Sequence, residues 1–318
     1  MVYNLSKTGQ DTKIFFTIFF VFLSLQLLIS CSTVSPVSLE REKPAVFVSV
    51  EGVEPLWQDL AQGVGYFCGK IVSPKMEFWA LRIDLSLAGI VVRDGAGHLL
   101  GEEIADNKTA LSVKVSSFVR DNGLLAGVNA VPFDVVSSRE RRPIQNMGIV
   151  VSEGKLLAAV NPRYDALVFY KDGRAAIVRQ SAILPELIEE IENALGGFHR
   201  ILSEGEAAER TLHGVTRHPR SAAGISAGGG YLYLLVIDGR RPGSLGATER
   251  ETALLLRSLG CEDGINFDGG GSSTLALRFP DGKVRTVNTP IHGQIPGRER
   301  AVAGCIGVGN QLNPSTEK

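Results

Sequence analysis

Short apolar runs, each closed by glycine, Asp-Gly or proline, succeed one another from residue 45 almost to the C-terminus, and sustained helical periods are few. A chain cut this often cannot build long helices, so strands joined by tight turns are its main resource. The 36 glycines lack the fixed period of a collagen, and 44% hydrophobic residues in 318 are enough for a large core rather than a disordered chain. Strands are expected around 78–85, 124–129, 148–151 and 166–170, with a further one at 45–50. The polar turns Ser152-Glu153-Gly154-Lys155 and Lys171-Asp172-Gly173-Arg174 read as the tips of two hairpins.

Three segments carry a helical signal. In 110–121, Val113, Val115, Phe118 and Val119 share one side; in 185–195 a proline opens an acidic first turn and Gly196 closes it; the third spans 248–259. The third lies between the apolar runs 231–237 (YLYLLVI) and 265–267, so the order strand, loop, helix, strand predicts a crossover that leaves the two strands parallel. The expected fold is therefore α+β: a mixed sheet with N-terminal hairpins and a late parallel strand-helix-strand crossover. Both strands of that crossover end in Asp-Gly, at Asp238-Gly239 and Asp268-Gly269. Two carboxylates are thus expected near one another on a single sheet edge, beside glycine-rich backbone that a ligand can approach closely.

The N-terminal thirty residues read as a leader rather than as fold. Lys7 and Lys13 precede the apolar run 14–29, which is the length of a signal-peptide core and shorter than a membrane span requires. The run closes in Leu28-Ile29-Ser30-Cys31, a lipobox-like ending that makes Cys31 the candidate lipidation site. A tether rich in Ser, Thr, Val and Pro follows over 31–44, then a folded body over 45–312 and a tail over 313–318. The expected location is outside the cytoplasm, on a bacterial cell envelope, held to the membrane through a lipid anchor. The remaining Cys68, Cys261 and Cys305 form no CxxC pair and fit buried thiols better than a disulfide framework.

Charge narrows the partners. Lys plus Arg number 33 against 34 acidic residues, a formal net charge of -1, and no basic tract offers a track for a nucleic acid backbone. No metal or cofactor is expected: the histidines do not pair at metal-ligand spacing, and the stretch 263–269 lacks the acidic residue an EF-hand needs at Gly264. Gly224-Ile225-Ser226-Ala227-Gly228 has the letters of a nucleophile elbow, but a strand-like run follows where a helix is required, so it reads as a glycine-rich hairpin. Arginines recur near the candidate carboxylates, at Arg217, Arg220, Arg240, Arg241, Arg298 and Arg300. A guanidinium fork binds phosphate oxygens in a bidentate way, and arginines beside carboxylates suit a substrate that carries both a sugar and a phosphate.

The order of these features is specific. N-x-x-x-F-D at Asn129, H-P-R-S-A-A-G at His218, D-G-R at Asp238, S-L-G-A-T-E at Ser244, L-G-C at Leu259, N-F-D-G-G-G-S-S at Asn266 and V-N at Val287 together resemble the phosphodiester glycosidase family. The resemblance spans roughly 63–309. It departs from the family after Asn129, where Ala130-Val131-Pro132-Phe133 replaces the usual Gly-Gly-Phe-Phe.

What the resemblance implies is hydrolysis of a sugar-1-phosphodiester, at an anomeric carbon whose leaving group is a phosphate ester. Arg220 and Arg240 would hold the phosphate; Asp268 would stabilise the transition state or attack the anomeric carbon; Asp238 or Glu249 would activate water. Asn129, Ser244 and Ser272 would contact the substrate, and Gly269, Gly270 and Gly271 would offer backbone N–H groups to the anion. The competing expectation is a non-catalytic envelope module that binds phosphorylated glycans through the same residues.

Overall fold

A computed structural model describes residues 55–94 and 110–310. The leader, Cys31, the tether, the strand expected at 45–50 and the tail lie outside the described residues. Among the described residues, the strands assemble into an eight-stranded sheet, two five-stranded sheets and one two-stranded ribbon.

The eight-stranded sheet positions the site. Its order runs Gln58–Ala61, Val64–Ile71, Met76–Asp84, Tyr231–Ile237, Arg220–Ser226, Cys261–Asn266, His199–Ser203, Glu206–Ala207. Every ladder in it is antiparallel, which corrects the expected parallel crossover. Arg220–Ser226 inserts between Tyr231–Ile237 and Cys261–Asn266 and pairs with both. The two outer strands consequently run in the same direction without touching, and their C-terminal ends do share one edge. The inserted strand, Arg-Ser-Ala-Ala-Gly-Ile-Ser, has only one β-branched aliphatic residue. Small residues serve there because neighbours press close: a Cβ on Gly224 would meet Cys261 Sγ at 2.4 Å.

Side-chain alternation sends the two faces of this sheet into different cores. One face, with Leu81, Leu234, Val236 and Ile265, packs with Val128 and Ile306 of one five-stranded sheet and with Leu167 and Leu195 of the other. The opposite face, with Phe78, Ala222, Leu235 and Ile237, is covered by the helix Glu249–Leu259 through Leu255, Leu256 and Leu259. Burying each of those leucines contributes roughly 1.5–3 kcal/mol. The helix begins at Thr248, whose hydroxyl accepts from the Glu251 N–H while the Glu251 carboxylate accepts from the Thr248 N–H. It ends at Gly260, whose φ of 110° lies in the left-handed region that a glycine adopts without strain.

Other sequence expectations fare unevenly. Both hairpins form, between Val150–Ser152 and Lys155–Ala158 and between Asp165–Tyr170 and Ala175–Arg179. The first expected helix shortens to Val115–Asp121, with Ala110–Leu111 drawn into a ribbon with Pro143–Ile144. The second is a correction: Pro185–Glu190 makes a 3-10 turn, and Ile191–Gly196 is a strand paired with Asp165–Tyr170. Ile191, Ala194 and Leu195 each find a buried place in that sheet, and tertiary burial overrides the local helix signal. Cys261 and Cys305 are buried thiols outside any disulfide.

Candidate active site

A cleft of about 430 Å³ opens at the shared C-terminal edge of the large sheet, beside the N-terminus of the helix Glu249–Leu259. Asp268 and Glu249 line it together with Arg210, Arg220, Arg240 and Arg300. Four guanidinium groups against two carboxylates leave the cleft cationic, so an anion is its natural occupant.

Asp268 is fixed by its backbone. Its N–H donates to Ala130 O at 2.8 Å, and its carbonyl accepts from Asn129 Nδ2 at 2.6 Å. Asn129 in turn accepts from Ser221 Oγ at 2.8 Å and from the Thr274 N–H at 3.1 Å. The asparagine therefore ties the Asp268 loop to the strand Ala126–Asn129 from behind, and at 1% exposure it stands outside the cleft. The flanking Ala130 and Val131 are fully buried packing residues.

The carboxylate of Asp268 accepts from the Ser272 side chain and from the Gly269 N–H, and it faces the charge of Arg300. Burial nevertheless pushes its acid up to about 6, against the pull of those three groups. Arg300 donates from Nη1 to Ser272 Oγ at 3.1 Å and from Nε to His292 Nδ1 at 3.2 Å. Burial lowers the Arg300 guanidinium from its usual value, with Asp268 opposing and Arg240 adding to the shift. Serine, aspartate and arginine thus form one connected unit.

The glycine run is shaped around this unit. Gly270 has a φ of +61°, and a Cβ on it would meet Arg240 Nη2 at 3.1 Å. A Cβ on Gly269 would lie 2.7 Å from Pro219 O, and the Gly270 N–H donates to that same carbonyl at 2.8 Å. Absence of side chains lets two arginines and the chain at Pro219 close on the loop.

On the other wall, Arg220 donates from Nε to Ala247 O at 3.0 Å and lies 3.8 Å from Glu249 Oε1. Burial lowers its guanidinium from the usual value, which Glu249 opposes and Arg240 reinforces. Arg240 is exposed at the mouth, with a left-handed φ of 59°, and its Nη2 sits 3.3 Å from His218 Nδ1. Burial, with Arg220 and Arg240 close by, holds His218 below its ordinary value, so it is neutral at neutral pH and accepts from Arg240.

Like Asn129, two further residues expected in the site, Asp238 and Ser244, stand outside the cleft. Asp238 is 1% exposed and outside the cleft, which corrects the expected pair of neighbouring carboxylates. Ile237 belongs to the helix-side core, so the next residue alternates to the opposite face. There Asp238 accepts from Asn288 Nδ2 at 2.9 Å, from the Thr289 N–H and from Arg241 Nη2 at 2.6 Å, while Arg241 also pairs with Glu77. Ser244 is fully buried behind the same region, donating to Asp238 O at 2.7 Å and accepting from the Glu77 N–H at 3.0 Å. Arg220, Arg240, Glu249, Asp268 and Gly269 to Gly271 do line the cleft. Ser272 lies just beneath it, against Asp268 and Arg300.

The structure adds Phe198, His199, Arg210, His218, Asn266 and Arg300 to the lining. His218, Asn266 and Arg300 sit inside motifs that the sequence makes visible. Phe198 and His199 carry no local signal, because only the pairing of His199–Ser203 with Cys261–Asn266 brings them to this edge, and Arg210 reaches the cleft from the separate 3-10 turn Glu209–Leu212. Among the described residues, no group of three or more His, Cys, Asp or Glu side chains is placed to hold a metal ion.

Comparison with known structures finds the same fold in proteins of low sequence similarity. The zebrafish N-acetylglucosamine-1-phosphodiester alpha-N-acetylglucosaminidase catalytic domain, auto-inhibited by its pro-peptide, aligns with a TM-score of 0.59 at 19% identity, over 83% of this chain and 87% of that one. A hypothetical protein from Synechocystis aligns with a TM-score of 0.56 at 15% identity, over 81% of this chain and 64% of that one. A protein of Burkholderia pseudomallei described as exported gives 0.52 at 17% identity, over 74% of each chain. Comparison with curated proteins gives no match. The phosphodiester glycosidase profile matches residues 122–309, more than half of the chain and all of the cleft's lining. On that match, the chain belongs to the phosphodiester glycosidase family.

Proposed function

We propose that this protein hydrolyses a sugar-1-phosphodiester, breaking the bond between the anomeric carbon and the phosphate oxygen. The observation that carries the reading is the convergence of Arg220, Arg240 and Arg300 with the Gly269–Gly271 backbone around Asp268 in one cleft. A phosphate ester leaves as a stabilised anion, so it needs charge stabilisation more than a general acid. The arginines supply that charge, preorganised by Ala247 O, His218, His292 and Ser272.

Asp268 acts at the anomeric carbon, where positive charge develops as the bond breaks. With its acid near 6, it is mostly ionised at neutral pH. Glu249, the other carboxylate of the cleft, takes the proton of the attacking water. Water adds hydroxide to the sugar, and the phosphate monoester departs with the bonding electrons. Asp238, Asn129 and Ser244 hold the scaffold rather than the substrate.

For location, we propose export with lipidation at Cys31, tethering the body to the bacterial envelope. The support is the leader pattern over 1–31 together with a structural neighbour described as exported. No helix among the described residues is long and apolar enough to cross a membrane.

The test of the reaction is incubation of the protein with a panel of sugar-1-phosphodiesters, beside the Asp268→Asn variant. Free sugar released by the wild type and lost in the variant is the expected result. Saturable binding with no turnover across the panel would favour a glycan-binding module instead.

A further inference from the structure

Among the described residues with a buried polar side-chain atom that has no hydrogen-bond partner, two line the cleft: Asn266 through Oδ1 and His199 through Nδ1. Asn266 is only 3% exposed. A buried acceptor left unpaired has lost its water without a replacement, and native proteins seldom carry one without a use for it. These two are also neighbours by construction. His199 and Asn266 are direct partners in the antiparallel ladder, so their side chains leave the same face of the sheet about 5 Å apart. Asn266 also partners Ala222, whose methyl group points to the same face and packs in the helix-side core.

The chemistry of the missing partner follows from the kind of atom left unpaired. A carboxamide oxygen accepts, so it needs a donor. A phosphodiester at neutral pH has only acceptor oxygens and would be repelled there. The donors that suit phosphate, the guanidinium groups of Arg220, Arg240 and Arg300, already have a charge to serve. An unpaired imidazole nitrogen next to the carboxamide adds a second group that pairs with a neutral hydroxyl or N–H, and burial together with Arg210 lowers His199 into its neutral form. Phe198, on the same wall, offers an apolar ring to the C–H face of a sugar.

We infer that Asn266 and His199 form the subsite for the glycosyl half of the substrate, hydrogen-bonding a ring hydroxyl or N-acyl group and setting which sugar is accepted. The inference rests on the phosphodiester reading for its division of the cleft into a cationic half and a neutral half. Asn266 is the last residue of its strand and two residues before Asp268, so a sugar held there keeps its anomeric carbon within reach of that carboxylate.

The test is an NMR titration of the wild type, Asn266→Ala and Arg240→Ala with N-acetylglucosamine, glucose and galactose, and separately with inorganic phosphate. At least one sugar is expected to saturate the wild type, Asn266→Ala to weaken it by about tenfold or more, and phosphate binding to stay within about twofold in that variant. Arg240→Ala should do the reverse. The inference is overturned if no sugar binds, if Asn266→Ala leaves sugar binding unchanged, or if it weakens phosphate equally. Should Asn266→Ala fail to fold, His199→Ala, on the half-buried wall, is held to the same outcomes. Sugar binding needs no turnover, so a panel with no hydrolysis but Asn266-dependent sugar binding removes the proposed reaction alone. Hydrolysis with sugar binding indifferent to Asn266 removes this inference alone.

Discussion

The guanidinium of Arg300 lies so close over Gly271 that a Cβ at that glycine would come within 2.5 Å of Nη2. The contact makes a backbone position a determinant of where a charged side chain points. Gly271 is not in the left-handed region, so alanine there meets no backbone strain and displaces only the end of a long side chain.

Gly271→Ala is therefore expected to keep its fold, with a melting temperature within a few degrees of the wild type, while kcat/KM falls by about 10²-fold, the usual cost of an ångström of misplacement. Thermal melts paired with turnover on the best phosphodiester check this. A variant that unfolds, or one that turns over normally, would contradict it.

Asp238 should behave in the opposite way. Removing one partner from a buried ion pair leaves the other uncompensated, at roughly 3–5 kcal/mol. Asp238→Ala takes a shared acceptor from Arg241, Asn288 and the Thr289 N–H while leaving Arg241 paired with Glu77, so urea denaturation should show a loss of about 3 kcal/mol, at the low end of that range. The folded fraction should retain kcat within a few-fold, since Asp238 does not line the cleft.

The contrast between these aspartates shows how much of the site was legible in the chain. Both follow apolar strands, both precede glycine, and both reach the same sheet edge, which the sequence makes plain. Which face each carboxylate takes depends on alternation carried through a ladder, and on the strand Arg220–Ser226 that lies between their two strands. That strand is rich in alanine, glycine and serine, so its letters announce a hairpin but not a position in the sheet. The helix Glu249–Leu259 was fully readable because its capping box and its terminal glycine are local. His199 was not, because long-range pairing alone places it.

The pH dependence of stability gives Asp268 a signature independent of substrate. Its acid rises from 3.8 to about 6 on folding, so the native state keeps its proton when the unfolded chain has already lost it. No penalty exists below about pH 4; it accrues as pH rises toward 6 and is constant above. Asp268→Asn lacks this titration. The melting temperature of the variant relative to the wild type should therefore climb between pH 4 and 6 and then level, and a flat difference would contradict the shift.

The arginines should divide by exposure. Arg240 is exposed at the mouth, so Arg240→Ala should weaken binding of inorganic phosphate by about tenfold without loss of stability. Arg220 is half-buried against Ala247 O and Glu249, so Arg220→Ala should weaken phosphate binding and lower stability as well. Isothermal titration beside thermal melts separates the two.

With Asp268 at the anomeric carbon, the proposed reaction breaks a carbon–oxygen bond at the sugar rather than a phosphorus–oxygen bond. Hydrolysis of a sugar-1-phosphodiester in ¹⁸O-labelled water, with mass analysis of the phosphate monoester, tests it most directly. An unlabelled phosphate product is expected, with the label delivered to the sugar. Label in the phosphate would mean attack at phosphorus and would contradict the assignment of Asp268 to the anomeric carbon.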